Sequence, residues 1–215
     1  MWYISTVPSS IITGDIAVSP FTAADITGFS LIIDSSNKFS LSTQVVGDIE
    51  ASDYTDGSKL TTAVSEMEAA YDNAAGHVAA TSDYKYLGGD EIGGKTLTTG
   101  VYTFEGDVTI TGCDLTFSGS ETDVFIIKTS KSVKQTGSTN VILAGNAKAE
   151  NIFWSVVGAV SVAAGSHSEG IFLVKKGVTF ITGSSLNGRI FSQMAPITQT
   201  PYTQTRRGLR GLQVA

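Results

Sequence analysis

The sequence predicts a mainly β fold: a β-solenoid of stacked coils with one long α-helix packed alongside. Three observations carry that expectation. From Asn151 the chain superposes on itself at a shift of eighteen residues, residues 58–76 hold one apolar stripe at helical spacing, and charged residues are scarce.

The repeat comes first, because internal periodicity decides the architecture. Asn151-Ile-Phe-Trp-Ser-Val aligns with Glu169-Gly-Ile-Phe-Leu-Val and then with Asn187-Gly-Arg-Ile-Phe-Ser. Val160 falls on Val178, Ser161 on Thr179, Val162 on Phe180 and Gly165 on Gly183. In a third copy the pattern decays, with Pro196 at the Val position and Pro201 at the Gly position. Proline cannot donate to a ladder, so it suits a last coil. Residues 101–119 and 123–137 fit the scheme with looser spacing. A period near eighteen with two or three short strands is one turn of a β-helix, each coil stacking on the next at about 4.8 Å. Side chains alternate along a strand. Val160, Val162, Val178 and Phe180 are therefore expected inward, and Ala159, Ser161, Gly177 and Thr179 outward. Trp154 alternates inward with Val156 as a core residue.

The helix is expected over residues 58–76. Leu60, Ala63, Val64, Met67, Tyr71 and Ala74 recur at spacings of three and four, which aligns them on one face. Ser58 is placed as N-cap and Gly76 as the C-terminal stop. Glu66, Glu68, Asp72 and Asn73 lie off the stripe. So narrow an apolar face needs a surface to lie on, for which Phe153, Ile171 and Leu173 are the candidates. Residues 1–57 read as strands rich in Gly, Ser and Asp, and residues 95–200 as short β-branched strands. Residues 1–200 are expected to form a single domain, with 201–215 a divergent, flexible tail.

Composition narrows the function. Hydrophobic residues make up 41%, enough for a core, whereas charged residues are 16%, below the roughly 25% of an average globular protein. Gly, Ser and Thr fill the difference and leave a weakly charged exterior. A net charge of −6 argues against nucleic acid, which needs a basic patch; the one basic cluster, Arg206, Arg207 and Arg210, holds no aromatic residue. No run approaches the roughly 18 apolar residues of a membrane span. Cys113 is the only cysteine, which excludes an intramolecular disulfide; its expected role is that of a small buried hydrophobe. The first residues, Met1-Trp2-Tyr3-Ile4-Ser5, lack the charge and apolar core of a signal peptide.

Catalytic constellations are weak. Asp83, Asp90 and Glu91 could suggest a carboxylate pair for glycoside chemistry, but a solvated Gly-rich loop is the better reading. His77 and His167 stand apart from any Cys or paired-His spacing for zinc and are expected at the surface. Gly88-Gly89 and Gly93-Gly94 lack the strand-to-helix setting of a phosphate loop. Asn151 and Asn187 lack the Ser or Thr of a glycosylation site. No enzyme activity, cofactor or metal is expected.

The chain resembles the microbial ice-binding (antifreeze) proteins of bacteria, fungi and sea-ice diatoms. The residues that carry the resemblance are Ser5-Thr-Val-Pro, Ile12-Thr-Gly-Asp-Ile-Ala-Val-Ser-Pro20, Ile26-Thr-Gly-Phe29, Ser58-Lys-Leu-Thr-Thr-Ala-Val, Asn151-Ile-Phe-Trp154 and Ser184-Ser-Leu-Asn-Gly-Arg189. They follow the family's order over nearly the whole chain. The resemblance implies an irregular right-handed β-helix, triangular in section, with the helix along one side and the first and last coils neighbours in space. It also implies a secreted, monomeric protein of cold adaptation whose partner is the ice surface, neither nucleic acid nor membrane. Adsorption through a flat β-helix face would give thermal hysteresis and ice recrystallisation inhibition.

Ice presents no charge, so its recognition rests on regularity and flatness. Small side chains keep a face flat, and Thr methyls and hydroxyls can hold water in a lattice-compatible arrangement; long charged side chains disrupt it and carry more rotamer entropy. In the family the face is marked by Thr-Ala/Gly-x-Thr/Asn, whose second and fourth residues point outward. Carried over position by position, this implies Ala159/Ser161, Gly177/Thr179, Asp107/Thr109, Ser132/Lys134, Asp25/Thr27 and Tyr3/Ser5, with Ala195/Ile197 a degenerate last member. Lys134, Asp25 and Asp107 depart from the small-residue rule, which implies a moderate binder. Two alternatives remain: a structural or adhesin solenoid module, and a polysaccharide-active β-helix enzyme. An enzyme would need convergent acid, base or metal groups in a cleft.

Overall fold

The computed structural model describes residues 3–6, 10–80, 84–193, 197–199, 203–205 and 212–214. The chain is mainly β with one long α-helix, and its described strands form sheets of seven, three and twelve strands. Every pairing along the seven-stranded sheet is parallel. Antiparallel pairing occurs where the strand Ser40–Ser42 joins Ile32–Ile33 and Val45–Ala51.

The seven-stranded sheet shows how the repeat works. Its strands are Val108–Ile110, Val133–Gln135, Val160–Val162, Val178–Phe180, Ile197–Gln199, Ile4–Thr6 and Ile26–Thr27, in that spatial order. The six longer strands hold three residues, and in Val108–Ile110, Val133–Gln135, Val160–Val162, Val178–Phe180 and Ile4–Thr6 one outward side chain stands between two buried ones. Val108, Val133, Val160, Val178, Ile197, Ile4 and Ile26 are register partners in an unbroken buried row. The N-terminal strand thus seats beside the C-terminal one, and sequence order is not spatial order.

The inward side chains make one large core. Trp154 stacks on Phe172 with ring centroids 5.5 Å apart and meets Phe117 edge-on at 5.9 Å. Its indole N–H donates to the Glu169 carbonyl over 3.0 Å, so burying Trp leaves no polar group unpaired. Gly170 and Gly188 are register partners in the neighbouring sheet. A Cβ on Gly188 would stand 1.8 Å from the Gly170 carbonyl oxygen, and only glycine permits that approach.

The helix, α1, spans Ser58–Gly76, the residues marked by the apolar stripe. Two details differ from expectation. Gly57 is the N-cap, Ser58 being already inside the helix, and His77 in an extended conformation ends it after Gly76. The helix rests on the twelve-stranded sheet in two patches. Tyr71 and Ala74 pack with Ile126, Ile171 and Leu173, and Phe153 lies at their edge. Met67 and Leu60 pack instead with Ala17, beside Phe191. The expected surface of Phe153, Ile171 and Leu173 therefore receives the C-terminal turns of α1 and not Met67.

Cys113 is exposed, contrary to its expected burial. It lies between the strands Val108–Ile110 and Leu115–Gly119, so its place in a turn outweighs its apolar character. In the C-terminal segment, Thr203–Thr205 pairs with the strands Ser185–Ser192 and Ile11–Thr13, and Leu212–Val214 with Asp15–Val18. Arg206, Arg207 and Arg210 lie outside the described residues.

Candidate binding face

The outward side of the seven-stranded sheet is built by the same register that builds its core. Thr109, Lys134, Ser161, Thr179, Thr198, Ser5 and Thr27 are consecutive register partners. An isolated parallel bridge between Glu91 and Thr109 extends the row by one. Six of the seven ladder members are Ser or Thr with part of the side chain in solvent, and each directly follows a buried residue of its strand. Asp107, Ser132, Ala159, Gly177, Tyr3 and Asp25 each immediately precede a strand of this sheet. Ala159 is exposed; the other five are half-exposed.

One residue implied for this face belongs elsewhere. Ile197 is fully buried and pairs with Val178 and Ile4; Thr198 holds the outward position. The repeat of eighteen carried Thr179 onto Ile197 and Val178 onto Pro196, but this last repeat is one residue longer. A slip of one residue exchanges the two faces of a strand. Ala195 and Pro196 lie outside the described residues.

The charged members of the face are held by specific contacts. Lys134 Nζ donates to Asp107 Oδ2 over 2.5 Å, and Asp107 Oδ1 accepts the Ser132 N–H over 3.0 Å. The Lys134 bond, followed by that from Ser132, holds the Asp107 carboxyl below its ordinary 3.8. Asp25 folds back on its own turn, where Oδ2 accepts the Thr22 N–H and hydroxyl over 3.0 and 3.1 Å. Glu91 closes the other end. Its Oε2 accepts the Thr109 hydroxyl over 2.7 Å, and its Oε1 the N–H groups of Gly93 and Thr111 over 2.7 and 3.0 Å. Burial pushes the Glu91 carboxyl up, but these bonds outweigh it and leave it below 4.5.

Among the described residues, the other candidates do not gather into a metal centre. Asp83 lies outside the described residues, and Glu91 serves the end of the ladder. Among the described residues no group of three or more His, Cys, Asp or Glu side chains could hold a metal ion. His77 is exposed, and its carbonyl accepts the Lys128 ammonium. His167 is partnered: its ring nitrogens meet Ser185 Oγ at 2.7 Å and Glu169 Oε1 at 3.1 Å, and Asn187 donates to Glu169 Oε2 over 2.8 Å. The repeat held the signal for this row, since a shift of eighteen carries His167 onto Ser185 and Glu169 onto Asn187.

A family model described as ice-binding-like matches residues 2–203. An ice-binding protein of Flavobacterium frigoris is 41% identical over 199 residues, covering 89% of this chain and 67% of that protein. One of Lentinula edodes is 43% identical over 172 residues, covering 79% of this chain and 59% of the relative. The chain thus spans about two thirds or less of these two relatives' length. A solved ice-binding protein from Arctic yeast, described for its antifreeze activity, superposes with a TM-score of 0.91 at 38% identity over 97% of this chain and 88% of that one. A domain from Shewanella frigidimarina shares the fold at a TM-score of 0.87 and 22% identity.

Proposed function

The chain belongs to the ice-binding-like family, and on that premise we propose that it adsorbs to ice through the outward side of its seven-stranded sheet. The result is thermal hysteresis and inhibition of ice recrystallisation. The observation that carries this reading is the ladder of Ser161, Thr179, Thr198, Ser5 and Thr27, five small hydroxyl side chains in parallel register. Neighbouring strands lie about 4.8 Å apart, close to spacings within the ice lattice. Each hydroxyl is held on a strand directly after a buried residue, so little rotamer freedom is left to lose on contact.

On this reading the sheets are faces of an irregular right-handed β-helix, triangular in section, and residues 1–200 act as a single domain. The helix lies against the twelve-stranded sheet and leaves the seven-stranded one open to its partner. The protein acts outside the cell, as a monomer, with ice as its partner. It needs no cofactor, because the face works by the order of its hydroxyls.

The test is a single ice crystal held in a dilute solution of the protein in a nanolitre osmometer. The reading expects a faceted crystal that stays unchanged through a gap between melting and freezing. A round disc that grows as it does in buffer would reject it.

A further inference from the structure

We infer that ice contact is confined to the Ser161, Thr179, Thr198, Ser5 and Thr27 part of the ladder, and that Thr109, though it is a threonine in register, takes no part. This inference rests on the proposed ice-binding reading and sets the limits of the face.

Two sets of contacts draw the boundary. The first is the Lys134–Asp107 ion pair: Lys134 stands on the strand between Thr109 and Ser161 and reaches back to Asp107, which precedes the strand of Thr109. Its side chains are 57% and 39% exposed, so both rise into the solvent layer that an ice plane would have to occupy. An ammonium is a compact, strongly hydrated charge, and its water shell is organised around the ion. Strands lie about 4.8 Å apart, so a ridge one strand wide separates what lies on its two sides. A rigid plane resting on Ser161 and the members beyond it is lifted away from Thr109.

The second set removes Thr109 chemically. Its hydroxyl proton is committed to Glu91 Oε2 over 2.7 Å. Glu91 is fixed in turn by the backbone N–H groups of Gly93 and Thr111, and these bonds keep it ionised. An ionised acceptor makes the stronger kind of hydrogen bond, so Thr109 is not free to turn its proton towards a water lattice. On the far side of the ridge, Ser161 to Thr27 spans four strand spacings, about 19 Å, without a lysine or carboxylate in the row.

The experiment compares thermal hysteresis of Thr109→Tyr, Lys134→Tyr and Thr179→Tyr, with far-UV circular dichroism to check each fold. Thr109→Tyr and Lys134→Tyr are expected to keep wild-type hysteresis, and Thr179→Tyr to lose most of it. Loss in Thr109→Tyr matching that in Thr179→Tyr would overturn the boundary while leaving the face in place. Full activity in Thr179→Tyr would reject the face itself. If Thr109→Tyr does not fold, the double variant Asp107→Ala/Lys134→Thr decides. Removing the ridge should raise hysteresis above wild type; an unchanged or lower value overturns the inference.

Discussion

Ser5 and Thr198 are register partners on adjacent parallel strands, although one stands near the start of the chain and the other near its end. Their strands interlock through Ile4 and Ile197, both fully buried, and through the Ile197 N–H, which donates to the Tyr3 carbonyl over 3.1 Å. The proposed face therefore exists only once the two ends of the chain have met. Its hydroxyl ladder is a product of the fold, not of any contiguous segment.

The helix contact predicts an asymmetric pair of variants. Met67 is 6% exposed and packs with Leu60 and Ala17, while Glu66 next to it is exposed. Met67→Asp should lose several kcal/mol, about 3 or more, because a carboxylate is buried without a partner. Glu66→Ala should stay within about 0.5 kcal/mol of wild type. Equal shifts in melting temperature would mean that α1 does not dock through this stripe.

Among the described residues Trp154 is the largest fully buried side chain, and it stacks on Phe172. Trp154→Ala should cost about 3–5 kcal/mol, the usual range for emptying a buried aromatic site, read from chemical denaturation. A loss below about 1 kcal/mol would show that the core can collapse into the space.

The carboxylates of the face predict a dependence on pH. Glu91 and Asp107 both sit below their ordinary values when folded. A depressed carboxyl contributes stability that is complete above its unfolded value, near 4.5 for Glu and 3.8 for Asp, and that is lost as pH falls through the folded value. At neutral pH, Glu91→Gln should therefore melt below wild type, and the difference should close on acidification to about pH 2. Asp107→Asn should follow the same course with a smaller amplitude, within about 1 kcal/mol, because solvent screens its exposed pair with Lys134. A difference that persists unchanged in acid would assign the effect to packing.

Chelation supplies a further check. No set of metal-ligating side chains gathers among the described residues, so EDTA should leave both melting temperature and thermal hysteresis unchanged. A fall in either would place a cation in the folded protein.

The sequence and the structure agree where spacing is local and part where it is not. The α1 stripe and the Val160/Val178 and Trp154/Phe172 ladders follow from periods of 3.6, 2 and eighteen residues, which short stretches of the chain display. The outward place of Thr198 did not follow, because one extra residue between Val178 and Ile197 exchanges the faces. The Asp107–Lys134 pair and the cap of Glu91 on Thr109 join residues 27 and 18 positions apart, and loops of varying length hide that proximity. The stripe places Met67 on the buried face of the helix but does not point to Ala17 and Phe191, since spacing within a helix says nothing of which sheet residues lie beneath it.

The most direct measurement is the ice-shaping of Thr179→Tyr beside wild type. Thr179 lies in the middle of the ladder between Ser161 and Thr198, with its buried neighbours Val178 and Phe180 untouched. Stability should therefore change by about 0.5 kcal/mol or little more. A ring projecting from a row of small hydroxyls would hold the sheet away from an ice plane. The account predicts a folded variant whose crystals grow almost as in buffer while wild type holds a faceted crystal through its hysteresis gap. A folded variant that shapes ice as well as wild type would show that the seven-stranded sheet is not the face that meets ice.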